Sequence, residues 1–409
     1  MRATRRAFMM GGAALALAGC VAGGGGGGTT GGAVVVMRPV PNPGYDQWVA
    51  AFRQRAGARG ISQSTLNEAF RGAGYLPGVV ERDRNQTEVQ RSLEDYLAIT
   101  SNPTKVRDGR AALSRHRALL SEVEGRYGVP AEVVAAIWGM ESNYGTRRGD
   151  IPVISATSTL AYDGRRGDFF EKQLMAALKV LQRGDVSADR MTGSWAGAMG
   201  HTQFIPTTFD AYAVDFRGDG RRDIWGDDPT DGLASAAAYL SRSGWRRGEP
   251  WGHEVRLPAG GAAVGATRSL SDWGAAGVQR TDGGRLAGGA QARLIQPAGA
   301  AGPAFLILPN FRVFLRYNNA EKYAIAAGHL SDRIGGGPEL STNFPPDQYG
   351  LTIDERRQLQ AGLTAAGYDT GTPDGVLGKK TEAAIAAYER ANGMPVTGQP
   401  SRGLLARLR

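Results

Sequence analysis

Trp138-Gly139-Met140-Glu141-Ser142-Asn143-Tyr144-Gly145 sets one carboxylate at the end of an apolar run. Val133, Ile137 and Glu141 recur every four residues and so share one face of a helix. Burial on that face disfavours the charged carboxylate, and the negative end of the helix dipole before Gly145 acts in the same direction. Both favour a protonated acid near neutral pH, which is what general acid catalysis requires. The same spacing also suits an ion pair with Arg147 or Arg148, and periodicity does not choose between the two.

A second segment runs Ser194-Trp195-Ala196-Gly197-Ala198-Met199-Gly200-His201-Thr202-Gln203-Phe204-Ile205-Pro206-Thr207. Its small residues allow close backbone approach, and Phe204 beside the Gln203 amide suits a sugar ring. A tight helix–helix contact would use the same composition. His201 reads as structural or solvent-facing. A third segment, Asp215 to Asp223, has Asp at positions 1, 5 and 9 and Gly220 at position 6, as in half of an EF-hand calcium loop. Arg217 stands where an oxygen ligand belongs, and position 12 is Gly226. A metal-free Asp-rich turn fits equally well.

These segments need a scaffold, and the pattern around them is mostly helical. Tyr45, Trp48, Val49 and Phe52 follow helical spacing, as do Leu119, Leu120, Val123 and Tyr127 within a helical stretch 44–128. Further helices are expected from Pro130 to about Glu141 and over 169–183, 229–243 and 320–334. Residues 250–310 are rich in Gly and Ala, and Ala304 to Leu308 reads as a strand, so a small β-containing subdomain is expected there. Glycines and prolines mark a linker at 337–347. Beyond it, 348–409 reads as three short helices, the first opened by a Thr352/Glu355 capping box.

The 409-residue chain is long enough for two or three domains. Gly 60 and Pro 20 make up about a fifth of it, below the range of low-complexity disorder. The net charge of +9 favours anionic partners without selecting one. With Cys20 as its single cysteine, the chain has no intrachain disulfide, and multi-cysteine zinc sites are excluded. Residues 1–20 read as a signal peptide: Arg2, Arg5 and Arg6 precede an apolar stretch from Phe8 to Ala18. Leu17-Ala18-Gly19-Cys20 resembles a bacterial lipobox, in which the cysteine is lipidated, and Thr4-Arg5-Arg6-Ala7-Phe8-Met9 resembles a twin-arginine export signal. Residues 21–43, with six glycines in a row, read as a flexible tether.

Taken in order, the Glu141 segment, Ala196-Gly197-Ala198-Met199-Gly200 with Gln203-Phe204, and Asn310-Phe311-Arg312 to Arg316-Tyr317-Asn318 closely resemble the membrane-bound lytic murein transglycosylase B family over residues 44–336. The resemblance implies a mainly α fold: a lysozyme-like α-rich catalytic domain with a small β-containing subdomain, followed by a C-terminal three-helix domain that resembles a peptidoglycan-binding domain. It implies non-hydrolytic cleavage of the MurNAc–GlcNAc β-1,4 bond to 1,6-anhydro-MurNAc ends, with Glu141 as sole acid and base. The alternatives are a hydrolytic muramidase and a non-catalytic wall-binding scaffold. By the same resemblance, Ser194, Gln203, Phe204, Tyr317, Asn318 and Tyr323 line the sugar cleft, and Arg165 and Arg166 meet peptide or lactyl carboxylates. Structural calcium on Asp215, Asp219, Asp223 and Asp231 is the one metal implied, and no cofactor is required. The expected partners are peptidoglycan strands and, through Cys20, a membrane. Nucleic acid is not expected. The expected setting is the bacterial envelope, as a monomeric periplasmic lipoprotein on the outer membrane.

Overall fold

The computed structural model describes residues 37–85 and 91–409. The signal peptide, Cys20 and most of the tether lie outside the described residues. The chain folds into two compact units, whose described residues are 37–85 with 108–247 and 91–107 with 248–409.

In the first unit the helical stretches end where local chemistry ends them. Asn42 caps the helix Pro43–Ala58 by accepting from the Tyr45 amide at 3.0 Å, and Pro43 takes the first turn, where no amide hydrogen is needed. Gly128, Gly164 and Gly184 adopt left-handed conformations at the ends of Arg117–Tyr127, Val153–Asp163 and Gly167–Arg183. The centre is the helix Ala131–Ser142, in which every residue from Val133 to Met140 is buried. It packs against Arg117–Tyr127 and Thr230–Arg242. A helix apolar on all sides belongs in the middle of a bundle. The expected single apolar stripe is thus an all-round apolar surface, and Pro130 is its N-cap rather than its first helical residue. A short antiparallel ribbon pairs β1 (Ile151–Pro152) with β2 (Thr192–Gly193).

The second unit holds the expected β subdomain. Strands β3 (Gly252–Arg256), β4 (Thr267–Ser269), β5 (Gln279–Arg280), β6 (Gln291–Ile295) and β7 (Ala304–Ile307) form an antiparallel sheet in the order β4-β6-β7-β3-β5. Val255, Trp273, Leu294 and Leu306 share its core. Helices Pro309–Tyr317 and Glu321–Ile334 follow, and Gly328 leaves room for the Trp251 indole, which a Cβ there would meet at 2.4 Å. The C-terminal helices are Ile353–Ala365, Lys379–Ala391 and Arg402–Leu408, around a small core of Leu359, Leu363, Ile385 and Leu405. The Thr352/Glu355 capping box is present.

The 337–347 connection is tied down. The Ser341 and Thr342 amides each donate to the Glu254 carboxylate at 2.8 Å, and Arg333 pairs with Glu339 at 2.9 Å. Arg356, 3% exposed, reaches Asp95 at 2.7 Å and also pairs with Glu94, both in the first turn of Leu93–Thr100. Among the described residues no helix is long and apolar enough to cross a membrane.

Candidate active site

Glu141 lies in the last turn of the Ala131–Ser142 helix, half-buried between two buried neighbours, Met140 and Ser142. The helix is stopped abruptly: Asn143, Tyr144 and Gly145 all take positive φ, at 52°, 57° and 83°. Left-handed backbone at two consecutive non-glycine residues is uncommon, and such residues gather at functional sites. The turn folds the Tyr144 ring back over the helix, edge-on to Trp138 at 6.0 Å. Gly139 makes the space. Burial pushes the Tyr144 phenol well above its ordinary pKa, with Asp108 adding to the shift.

His201 is 2% exposed, so the structural alternative holds. Its Nδ1 accepts from Trp138 Nε1 at 3.1 Å, and its Nε2 lies 2.8 Å from the Gly226 carbonyl. Its own carbonyl accepts from Ser142 Oγ at 2.6 Å. Burial lowers its pKa, and Arg148 adds to the shift.

The Ser194 segment leaves β2 in a tight turn, not in a helix–helix contact. Ser194 N donates to Ala198 O at 2.7 Å, and Ser194 Oγ accepts from Ala198 N at 3.1 Å. A Cβ on Gly193 would stand 2.2 Å from Ala198 O, so the turn needs glycine there. Met199 and Phe204 exchange backbone hydrogen bonds at 2.9 and 3.1 Å, which brings Gln203 to the tip with a φ of 50°. Gln203 Nε2 donates to Arg148 O and Gly200 O, both at 2.9 Å. With both amide hydrogens engaged, the side-chain carbonyl oxygen is the end it can offer a ligand.

Other expected contacts look different in three dimensions. Phe204 is 2% exposed and packs on Tyr239, so it anchors the loop and has no free face for a sugar. Arg165 is engaged by the buried carboxylate of Asp83 at 2.5 Å. The Arg166 guanidinium sits 4.5 Å over the Phe169 ring. In the second unit, Tyr317 and Tyr323 stack with centroids 6.4 Å apart, Tyr323 being buried. Asn318 Oδ1 is buried and has no hydrogen-bond donor among the described residues.

The acidic loop does not gather its carboxylates. Asp215 accepts from the amides of Gly218, Asp219 and Gly220, and Asp231 from those of Phe216 and Asp223. Arg217 is paired with Glu122 at 2.5 Å. Among the described residues no three His, Cys, Asp or Glu side chains are grouped to hold a metal. Amides donating to Asp215 and Asp231 leave lone pairs on both carboxylates; what sets this loop apart from a calcium site is Arg217, at the third position and paired with Glu122, and the lack of three grouped acidic side chains among the described residues.

Sequence reasoning missed Trp138 and Tyr144 as parts of the site, and Arg148, read there as an ion-pair candidate for Glu141, pairs with Asp227. The left-handed turn had one legible signal: Gly139 and Gly145 bracket Glu141 and Tyr144. The hydrogen bonds to His201 had none.

A buried helix delivering one half-exposed glutamate, a small antiparallel sheet and a helical C-terminal unit make this a lysozyme-like architecture. The Transglycosylase SLT domain family matches residues 44–332, and a peptidoglycan binding domain matches 352–408. The chain belongs to the Transglycosylase SLT domain family. It is 32% identical over 240 residues to membrane-bound lytic murein transglycosylase B of Escherichia coli (strain K12), covering 57% of this chain and 64% of that protein's length. Among solved structures, SltB3 from Pseudomonas aeruginosa in complex with NAG-NAM-pentapeptide is 50% identical, with a TM-score of 0.72 over 90% of this chain and 100% of the other. The Escherichia coli lytic transglycosylase Slt35 in complex with calcium is 28% identical, with a TM-score of 0.61 over 74% of this chain and 96% of the other.

Proposed function

We propose that the chain is a lytic transglycosylase that cuts the MurNAc–GlcNAc β-1,4 bond of peptidoglycan without water, with Glu141 as acid and base. Ordinary glycosidases use two carboxyl groups, one on each side of the bond. Here the substrate supplies the nucleophile. Glu141 donates its proton to the glycosidic oxygen as that oxygen leaves the MurNAc anomeric carbon. The substrate N-acetyl group stabilises the cationic centre. The MurNAc 6-hydroxyl oxygen then bonds to the same carbon, and its proton passes to Glu141. The acid is restored and the product ends in 1,6-anhydro-MurNAc.

The observation that carries this reading is the half-exposed Glu141 in the last helical turn before the left-handed Asn143–Gly145 turn, in a chain half identical to a protein solved with NAG-NAM-pentapeptide and with NAG-anhNAM-pentapeptide. In the first unit Ser194 and the Gln203 carbonyl, and in the second Tyr317, are the groups suited to sugar hydroxyl and amide donors. Arg166, and Arg165 if it leaves Asp83, would meet carboxylates of the peptide. The C-terminal helices would bind the wall, and a lipid on Cys20 would hold the protein at an envelope membrane. Calcium is given no role, because the acidic loop as folded does not present a ligand set.

Mass spectrometry of muropeptides released by the purified protein tests the proposal. Anhydro ends support it. Reducing ends would indicate a muramidase, and no release a wall-binding scaffold.

A further inference from the structure

We propose that His201 is a positioning residue for Glu141: a neutral, buried imidazole that grips the end of the Ala131–Ser142 helix on both sides of the glutamate. The inference rests on the role given to Glu141 above. It starts from hydrogen-bond directions. The Trp138 indole can only donate, so its 3.1 Å contact requires a lone pair on His201 Nδ1. The proton of the neutral ring is therefore on Nε2, which donates to the Gly226 carbonyl at 2.8 Å. The backbone continues the grip. His201 N donates to Ile224 O at 3.0 Å, and His201 O accepts from Ser142 Oγ at 2.6 Å. Ser142 Oγ in turn accepts from Gly145 N at 3.0 Å, within the left-handed turn.

One residue thus holds Trp138, three positions before Glu141, and Ser142, directly after it, and ties both to the 224–226 segment. The enclosure leaves the ring little room to move. A Cβ on Gly145 would stand 2.7 Å from Nδ1, and one on Gly232 would stand 3.0 Å from the His201 Cβ. Arg148 stands 3.4 Å from Nε2 and pairs with Asp227, so a cation faces the ring and favours its neutral form. The Glu141 carboxyl must meet a glycosidic oxygen and then a hydroxyl, so its direction matters more than binding strength. A displacement of about 1 Å can lower a rate by about 10²-fold.

The test uses the full chain, with muropeptide release from sacculi as the readout. In His201→Leu both ring hydrogen bonds are lost, and kcat is expected to fall about 10–100-fold while KM stays within about twofold. His201→Asn restores an acceptor toward Trp138 and should recover most of that loss at an equal folded fraction by circular dichroism. A merely structural role would not separate kcat from KM or rank Asn above Leu among folded samples. If His201→Leu does not fold, Trp138→Phe removes the same bond from the helix side and should lower kcat in the same way. Folded variants with kcat within about twofold of an active parent overturn the positioning role alone. A parent that releases no muropeptide overturns the functional reading, and this inference with it.

Discussion

Gly139 and Tyr144 occupy one another's space: a Cβ built on Gly139 would lie 2.5 Å from Cζ of the Tyr144 ring. The glycine in the last turn of a buried helix is therefore a seat for an aromatic ring five residues on. That ring sits on the left-handed turn that ends the helix one residue after Glu141. Gly139→Ala should displace the ring, cost about 1–3 kcal/mol through overpacking and lower muropeptide release. Urea unfolding and release rates measured on the same sample check it. An alanine variant with parental stability and rate would show that the ring is free to move aside.

Glu141→Gln keeps the size of the side chain and removes its proton chemistry. General acid–base catalysis contributes about 10²–10⁴-fold, so release of anhydro-muropeptides should fall by at least that factor with the fold intact. Parental rates with the glutamine variant would remove Glu141 from the mechanism.

Stability should fall in mild acid. Burial lowers the pKa of His201 and pushes His253 and His329 down to about 4, from an ordinary 6.5. A folded-state pKa below the unfolded one means that the unfolded chain binds the proton first. The stabilisation is therefore complete above pH 6.5 and is lost as pH falls toward 4. The slope approaches about 1.4 kcal/mol per pH unit for each of His253 and His329 in that window, and His201 acts in the same direction. Chemical denaturation at pH 7.5, 6, 5 and 4.5 measures it. The slope should shrink in a His329→Gln variant, and an unchanged slope would assign the acid sensitivity to other groups.

Arg356 pairs with Glu94 and Asp95 from inside the second unit. Removing one partner of a buried ion pair typically costs about 3–5 kcal/mol, because the other charges stay buried without it. Arg356→Ala should loosen the C-terminal helices and make 337–347 easier to cut. Limited proteolysis followed by mass spectrometry reads the site. Unchanged cutting would mean that the Glu254 contacts to Ser341 and Thr342 suffice.

Calcium should leave the protein nearly unaffected, since Arg217 takes the third position of the loop and is paired with Glu122, and no three acidic side chains are grouped among the described residues. A melting temperature that moves by less than a degree between chelator and millimolar calcium is the expected result. A clear rise with calcium would mean that the loop reorganises around the ion.

Local chemistry made much of the fold legible. Thr352 with Glu355 marked a helix start because a capping box is set within a few residues. The strand at Ala304–Ile307 showed as a short apolar run before Pro309. Glu141 showed as a carboxylate at the end of an apolar helix in a recognisable motif.

Tertiary structure decided what those residues do to one another. His201 meets Trp138 across 63 positions, Arg165 meets Asp83 across 82, and Arg356 meets Glu94 across 262. Nothing local records such pairings, because the energy of a buried polar group depends on the partner that folding brings to it. For that reason Phe204, legible as an aromatic beside an amide, turned out to be core. Arg165, legible as a free basic side chain, turned out to be half of an ion pair. The 337–347 connection, legible as a linker from its glycines and prolines, is held by Glu254 and Arg333, which the sequence does not mark.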